Sequence, residues 1–132
     1  MAITADTPRA YELGDINHLP VKASTKIWEG SAVGLASGYA RNLVALDQFM
    51  GFAIEQADNS AVAVDGAINV KVRKRGFAQV TLASVAVTDV GSKVYMSDSG
   101  TFTLTASPYS RVGHVSRYVT TNTCVIQFYV TP

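Results

Sequence analysis

The sequence predicts an all-β domain: a compact sandwich or barrel-like fold with pseudo-repeated halves and an extended N-terminal arm. In several short segments every second residue would lie on the same strand face, as Ala78, Val80 and Leu82 would. Turn-forming Gly, Asp, Asn and Ser separate these segments, and two stretches of the chain resemble each other. A period of two places successive side chains on opposite faces of a strand, and many short strands are typical of sandwiches and barrels.

Length and composition limit the protein to one folded unit. The 132 residues are 48% hydrophobic and 16% charged, with a formal net charge of +1. Such a chain can bury one core, and it is too apolar and too near neutral for gross disorder. Its single cysteine, Cys124, excludes an intrachain disulfide and a cysteine-rich zinc site, and we expect it buried in a strand.

The first residues give no sign of secretion or of a membrane. Residues 1–8 have neither a basic region nor an apolar region of the kind found in signal peptides. No apolar run approaches the roughly 20 residues that span a bilayer. We therefore expect a soluble protein that does not contact a membrane.

Residues 1–26 are predicted to be an extended arm, and residues 27–132 a single β domain. Pro8 and Pro20 interrupt this segment, and proline discourages regular pairing. The alternative is a frayed terminus. However, the segment is too apolar for a purely solvated tail, so we expect it to pack on another surface. Its apolar residues are Tyr11, Leu13, Ile16, Leu19 and Val21.

Two hairpins and one ambiguous segment follow from the turn signals. Asp65-Gly66 separates two apolar segments and predicts a hairpin, as does the turn at 98–100. Residues 39–50 allow a helical turn as an alternative to strands, because three apolar residues fall near helical spacing. The last strand is partly apolar on both faces, so it is either central or in contact with a partner.

The two halves of the β domain are predicted to be pseudo-repeats, about 30–72 and 91–130. The motif around Gly30 resembles the one around Gly91, and the motif around Gly51 resembles the one around Gly113. Glycines inside strands mark bulges or close backbone approach, so we expect one or the other at Gly51 and Gly113. The repeat also disfavours the helical alternative, because the segment matching 39–50 has a β and loop pattern.

The residues suggest no catalytic apparatus, cofactor or metal site. His18 and His114 lack metal-ligand spacing, and the acidic residues are scattered through turn-like contexts. The sequence has no phosphate-binding loop, nucleophile elbow or dinucleotide fingerprint. We therefore predict a protein that is not an enzyme.

One charge cluster and one tryptophan are candidate contact residues. Lys71, Arg73 and Arg75 would face one way on a strand. Three interpretations are open: the residues belong to a solvated edge strand, they contact an acidic protein surface, or they contact phosphates. The near-neutral net charge makes direct nucleic-acid binding the least favoured of the three. Trp28 is either a core anchor or an interface residue.

Several of these motifs together resemble the bacteriophage capsid decoration, or cement, protein family. The motifs include Gly91-Ser92-Lys93-Val94-Tyr95, in which Ser92 stands where members often have an acidic residue, and Val112-Gly113-His114-Val115. The resemblance extends over about three-quarters of the chain. The segments that carry it are 27–35, 49–53, 90–103, 112–115 and 125–130.

The resemblance implies a structural virion protein, made in the host cytoplasm, on the outside of a phage head. Its partners would be the major capsid protein and further copies of itself, with a trimer favoured over a dimer. The candidate capsid or subunit interface is Tyr11, Leu13, Ile16, Leu19, Trp28, Lys71, Arg73, Arg75 and Tyr129. The alternatives are another head-tail structural protein, or a carbohydrate-binding module that uses Tyr11, Tyr39, Tyr109 and Tyr118. An unrecognised hydrolase is the least favoured.

Overall fold

The structure is a computed structural model that describes residues 2, 4–10, 12 and 14–130. It is nearly all β, which confirms the predicted fold class. In chain order the strands are β1 (Ile16–Pro20), β2 (Lys26–Ile27), β3 (Val33–Ala36), β4 (Tyr39–Asn42), β5 (Phe52–Ala53), β6 (Ala57–Asp58), β7 (Asn69–Arg73), β8 (Arg75–Thr81), β9 (Lys93–Met96), β10 (Phe102–Thr103), β11 (Ser110–Thr120) and β12 (Thr123–Tyr129). A 3-10 turn covers Val87–Asp89.

The strands form antiparallel sheets that do not close into a barrel within the described residues. The largest sheet has five strands in the order β10-β9-β11-β12-β8. A smaller sheet, β1-β7-β5, continues into the β3-β4 hairpin, because Ala32 bridges to Phe52 and the Val33 N–H donates to the Gly51 carbonyl at 2.9 Å. We call residues 16–73 the first unit and residues 75–129 the second unit.

The two units have the same strand order. The first unit runs β1-β7-β5-β3-β4 across its sheet, and the second runs β8-β12-β11-β9-β10. The Gly30 N–H donates to the Ala53 carbonyl at 2.8 Å, and the Gly91 N–H donates to the Val115 carbonyl at 2.8 Å. A reciprocal bond of 2.9 Å follows in each unit. The similar sequences therefore occupy equivalent places in two copies of one β motif.

Gly51 and Gly113 lie where the backbone of another strand approaches closely. A Cβ atom at Gly51 would collide with the carbonyl of Arg73, and one at Gly113 with the carbonyl of Gln127. Gly51 also has a φ of +121°, and the β11 register shifts beside Gly113. The prediction of close approach or a bulge at these two glycines is confirmed.

The core consists of two apolar clusters. The first-unit cluster includes Val21, Val70 and Val72. The larger cluster lies mainly in the second unit, but it takes in Leu43 and Phe49 from the first. Because residues of both units share this cluster, the units stabilise each other by burying apolar surface.

The structure differs from the predicted arm boundary. Ile16–Pro20 pairs with β7 as strand β1, and Val21 and Ile27 are fully buried. Pro20 is compatible with the strand because its missing N–H would point away from β7, so the β1–β7 ladder loses no bond. Just after β1, Val21 bridges to Ala40 of β4. Residues 16–26 therefore belong to the folded domain.

The hairpin predicted at Asp65-Gly66 is wrong. Residues 60–68 form a loop, and the Asp65 carboxylate accepts from the Ala23 N–H at 2.7 Å. The Gly66 N–H donates to the Val21 carbonyl at 2.8 Å, so this turn ties the loop to the end of β1. The hairpin at residues 98–100 is present as β9 and β10.

Three other local predictions have clear outcomes. Residues 39–50 contain strand β4 followed by a loop, and the helical alternative is wrong there. Strand β12 lies between β11 and β8, so its two apolar faces reflect a central position. Cys124 on β12 is a buried free thiol, and burial raises its pKa.

Candidate interaction surface

The predicted basic row is divided between two strands. Lys71 and Arg73 are exposed on β7, and their neighbours Val70 and Val72 are fully buried. This alternation agrees with the predicted period of two. The chain then changes sheet at Lys74, so Arg75 begins β8 in the second unit. The prediction that Lys71, Arg73 and Arg75 share one strand is wrong, because the pairing partners change from β1 and β5 to β12.

Arg75 is held by a residue that precedes β1. Its Nε donates to Asp15 Oδ1 at 2.7 Å, and both side chains are exposed. The hydrogen bond and the charge of Arg75 lower the pKa of Asp15. The Lys74 N–H also donates to the Asp15 carbonyl at 2.7 Å. These bonds fix the start of β8 against the segment that leads into β1.

A groove of about 430 Å³ runs between the two units beside β8, and we call it the inter-unit groove. Phe52, Ile54 and Arg73 line it from the first unit. The second unit contributes residues 77–80 of β8, together with two phenylalanines, Phe102 and Phe128. The lining is mostly apolar with one guanidinium, which suits a partner that carries both apolar and acidic groups.

Phe77 is an exposed aromatic residue at this groove. It lies on β8 with 66% of its surface exposed. Exposed aromatic side chains beside a concave apolar surface are a feature of protein interfaces. Period-two alternation places Phe77 on the strand face opposite Ala78 and Val80, but alternation alone leaves open which residues border a groove.

Trp28 is an exposed residue rather than a core anchor. It is 56% exposed, and the Lys26 ammonium lies 4.0 Å from the centre of its ring. A cation over the ring of a tryptophan is a favourable contact of modest strength at the surface. The position is therefore available to a partner.

Tyr129 lies in a cluster on β11 and β12. Its hydroxyl accepts from Arg111 Nη2 at 3.0 Å, and His114 Nδ1 lies 3.5 Å from it. Tyr129 is also opposite Arg75 in the strand register. Tyr129 is half-buried, and this cluster holds its ring in place.

The remaining candidates are distributed over β1 and the segment before it. Leu19 packs against the first-unit core, and Ile16 is half-buried opposite Arg73. Tyr11 and Leu13 lie outside the described residues. The structure thus places Ile16 opposite Arg73 in the β1–β7 register, and the preceding residue Asp15 against Arg75.

The described residues offer neither a metal cluster nor a membrane-spanning helix. No group of three or more His, Cys, Asp and Glu side chains within them could hold a metal ion. In that same part of the chain, no helix is long and apolar enough to cross a membrane. Of the tyrosines that a carbohydrate-binding module would use, Tyr39, Tyr109 and Tyr118 are each half-buried.

Comparison with known proteins identifies no relative. No protein family, curated protein sequence or solved structure matches this chain.

Proposed function

We propose that the protein is a capsid decoration protein. In this proposal it binds the outside of a bacteriophage head as a homo-oligomer, bridges major capsid subunits and stabilises the shell. It is not an enzyme, and it contacts neither a membrane nor nucleic acid directly. Support comes from the resemblance of segments such as 90–103 to that family.

The structural observation that supports the proposal best is the pairing of the inter-unit groove with the basic residues beside it. Arg73 lines an apolar groove that Phe77 borders, and Lys71 is exposed two residues before it on β7. A surface with an apolar centre and charged surroundings is suited to a protein partner. Opposite charge on that partner would speed its capture and select the correct surface.

Binding of this kind would stabilise a shell by mass action. A protein that binds only the expanded shell stabilises that state by an amount that grows with the logarithm of its free concentration relative to its Kd. Many copies on a lattice, or several in one oligomer, convert modest affinity at each site into strong attachment. A rigid domain made of two packed units is suited to this role, since little conformational freedom is lost on binding.

The direct test is to mix purified protein with expanded phage heads assembled without it and to image them. We expect ordered extra density on the outer surface and an increased temperature of head disruption. The substitution pair Lys71→Gln and Arg73→Gln should weaken binding, with Lys93→Gln as the matched control on β9. If no density appears at concentrations well above micromolar, the proposal is wrong.

Oligomeric state and glycan binding are separate measurements. Light scattering should give a homo-oligomer in solution or on the head, with a trimer expected before a dimer. A carbohydrate-binding role would require aromatic faces open to solvent, and the half-buried Tyr39, Tyr109 and Tyr118 do not favour it. Saturable glycan binding that depends on these residues would support the carbohydrate alternative.

A further inference from the structure

Strand β8 has one free edge, and the hydrogen-bond pattern shows which groups face it. The Leu82 N–H donates to the Asn122 carbonyl, and the Val130 N–H donates to the Lys74 carbonyl. In this antiparallel register the even-numbered residues of β8 therefore bond to β12. The backbone groups of the alternate residues point away from β12, toward the free edge. Those residues are Arg75, Phe77, Gln79 and Thr81.

Within the described residues, no strand pairs with this second edge of β8. In the described part of the chain, the N–H and C=O groups of these four residues make no hydrogen bond on that side. β8 has seven residues, whereas β10, at the other edge of the same sheet, has two. Proteins usually shorten, cover or interrupt long open edges, because such edges pair with other strands.

The first unit contains the kind of protection that β8 lacks. Pro20 on β1 and Thr81 on β8 lie 61 residues apart and occupy the edge strands of the two equivalent sheets. The Val21 N–H bonds to Ile68 of the loop before β7, so by alternation Pro20 and Lys22 face away from β7. On that side the Lys22 N–H donates to the Ala40 carbonyl of β4 at 2.9 Å, so β4 covers the end of this edge. Proline offers no N–H to an incoming strand. Thr81 retains that donor.

The surroundings of the β8 edge favour an acidic and partly apolar partner. The inter-unit groove runs beside residues 77–80 and includes Arg73. Among the described residues, Lys71, Arg73 and Lys74 have no carboxylate within 4.0 Å, while Arg75 pairs with Asp15. Carboxylates on a partner segment would therefore meet unpaired positive charge at the start of β8.

We propose that β8 accepts an extended segment of the major capsid protein as an additional strand. Backbone hydrogen bonds to Phe77, Gln79 and Thr81 hold the segment, and alternate apolar side chains enter the inter-unit groove. Acidic residues of the segment lie near Arg73 and Lys74. This inference rests on the proposed function. It describes the bound capsid segment by its chemistry: extended, partly apolar and acidic.

Proline substitutions on β8 test this inference with little change to the rest of the fold. Thr81→Pro and Gln79→Pro each remove an outward N–H and leave the bonds of even-numbered residues to β12 in place. Thr81→Ala and Gln79→Ala are the matched controls, since they shorten the side chain and keep the N–H. We expect each proline variant to bind undecorated heads at least about tenfold more weakly than its alanine control, with the far-UV circular dichroism and melting temperature unchanged.

A cross-linking experiment identifies the occupant and covers the case in which a proline variant fails to fold. Gln79→Cys places an exposed thiol at the edge, and the buried Cys124 should not compete for labelling. A photoreactive maleimide at this position should cross-link to an acidic, extended segment of the capsid subunit.

The outcomes separate the two proposals. If the wild-type protein binds heads and the folded proline variants bind equally well, the strand-addition inference is wrong and the decoration function stands. Cross-links confined to a second copy of this chain would also overturn the inference. If the wild-type protein does not bind heads, the decoration function fails, and the inference fails with it.

Discussion

The ring of Phe52 lies edge-on to the ring of Phe128, with centroids 4.8 Å apart and planes at 85°. Phe52 belongs to β5 of the first unit, and Phe128 belongs to β12 of the second. Phe128 also meets Phe49 edge-on at 6.5 Å. Edge-to-face contacts between aromatic rings add to the stabilisation that their burial provides. These rings therefore couple the two repeated sheets, and Phe52 and Phe128 also line the groove beside β8.

Phe128 should be one of the most sensitive positions for stability. We expect Phe128→Ala to lower the free energy of unfolding by about 3–5 kcal/mol, because it removes a buried ring that packs against residues of both units. Phe77→Ala is the matched control on the exposed face, and its cost should stay within about 0.5 kcal/mol. Urea unfolding followed by circular dichroism measures both. Similar costs for the two variants would show that the Phe52–Phe128 contact does not couple the units.

Gly113 and Gly100 should respond differently to the same substitution. A Cβ atom at Gly113 would collide with the Gln127 carbonyl, whereas one at Gly100 would meet no atom within 4 Å. We expect Gly113→Ala to destabilise the protein by about 1–3 kcal/mol or more, since backbone must shift. Gly100→Ala should be neutral, or stabilising by up to about 1 kcal/mol. Thermal unfolding of the two variants tests this, and a tolerated Gly113→Ala would contradict the close approach.

Truncation should separate the arm from the folded domain. Removing residues 1–12 takes away no residue of β1, so we expect the melting temperature to change little. Removing residues 1–24 deletes β1, which leaves one edge of β7 unpaired, and it removes the buried Val21 from the core. We expect that longer truncation to aggregate or to unfold at a much lower temperature. Equal stability of the two truncations would show that β1 is dispensable.

Asp98 should contribute to acid sensitivity. The Gly100 N–H, and to a smaller extent the hydroxyl and N–H of Thr101, hold the pKa of Asp98 below its ordinary 3.8, although partial burial opposes them. A carboxyl with a lowered folded pKa contributes fully above the unfolded pKa, and this contribution is lost as the pH falls through the folded pKa.

The Asp98→Asn variant tests that contribution. Asparagine keeps an acceptor for the two N–H groups but does not titrate. Between about pH 5 and about pH 2, the variant should therefore lose less stability than the wild-type protein. Urea unfolding at a series of pH values gives both slopes. Asp15 and Asp58 also have lowered pKa values, so the pH dependence of the variant should be smaller than that of the wild-type protein but not zero. Identical slopes would contradict the assignment to Asp98.

Local pattern was sufficient to predict the fold class and several strand faces. Period-two alternation predicted that Lys71 and Arg73 are exposed on a strand, and the glycine motifs predicted close backbone approach at Gly51 and Gly113. The same pattern identified Cys124 as a buried strand residue. These features follow from residues that are near one another in the chain, since alternation and turn chemistry are local properties.

The sequence by itself determined that this is a β protein with a repeated motif, and it determined which side chains alternate along each strand. Only the tertiary structure decided that residues 16–20 join the sheet, that the chain changes sheet at Lys74, and that β8 keeps an open edge. The inter-unit groove likewise depends on Phe52, Phe102 and Phe128 meeting from distant segments. Strand pairing is non-local, so a strand's own residues define its two faces but do not select the partner at its edge.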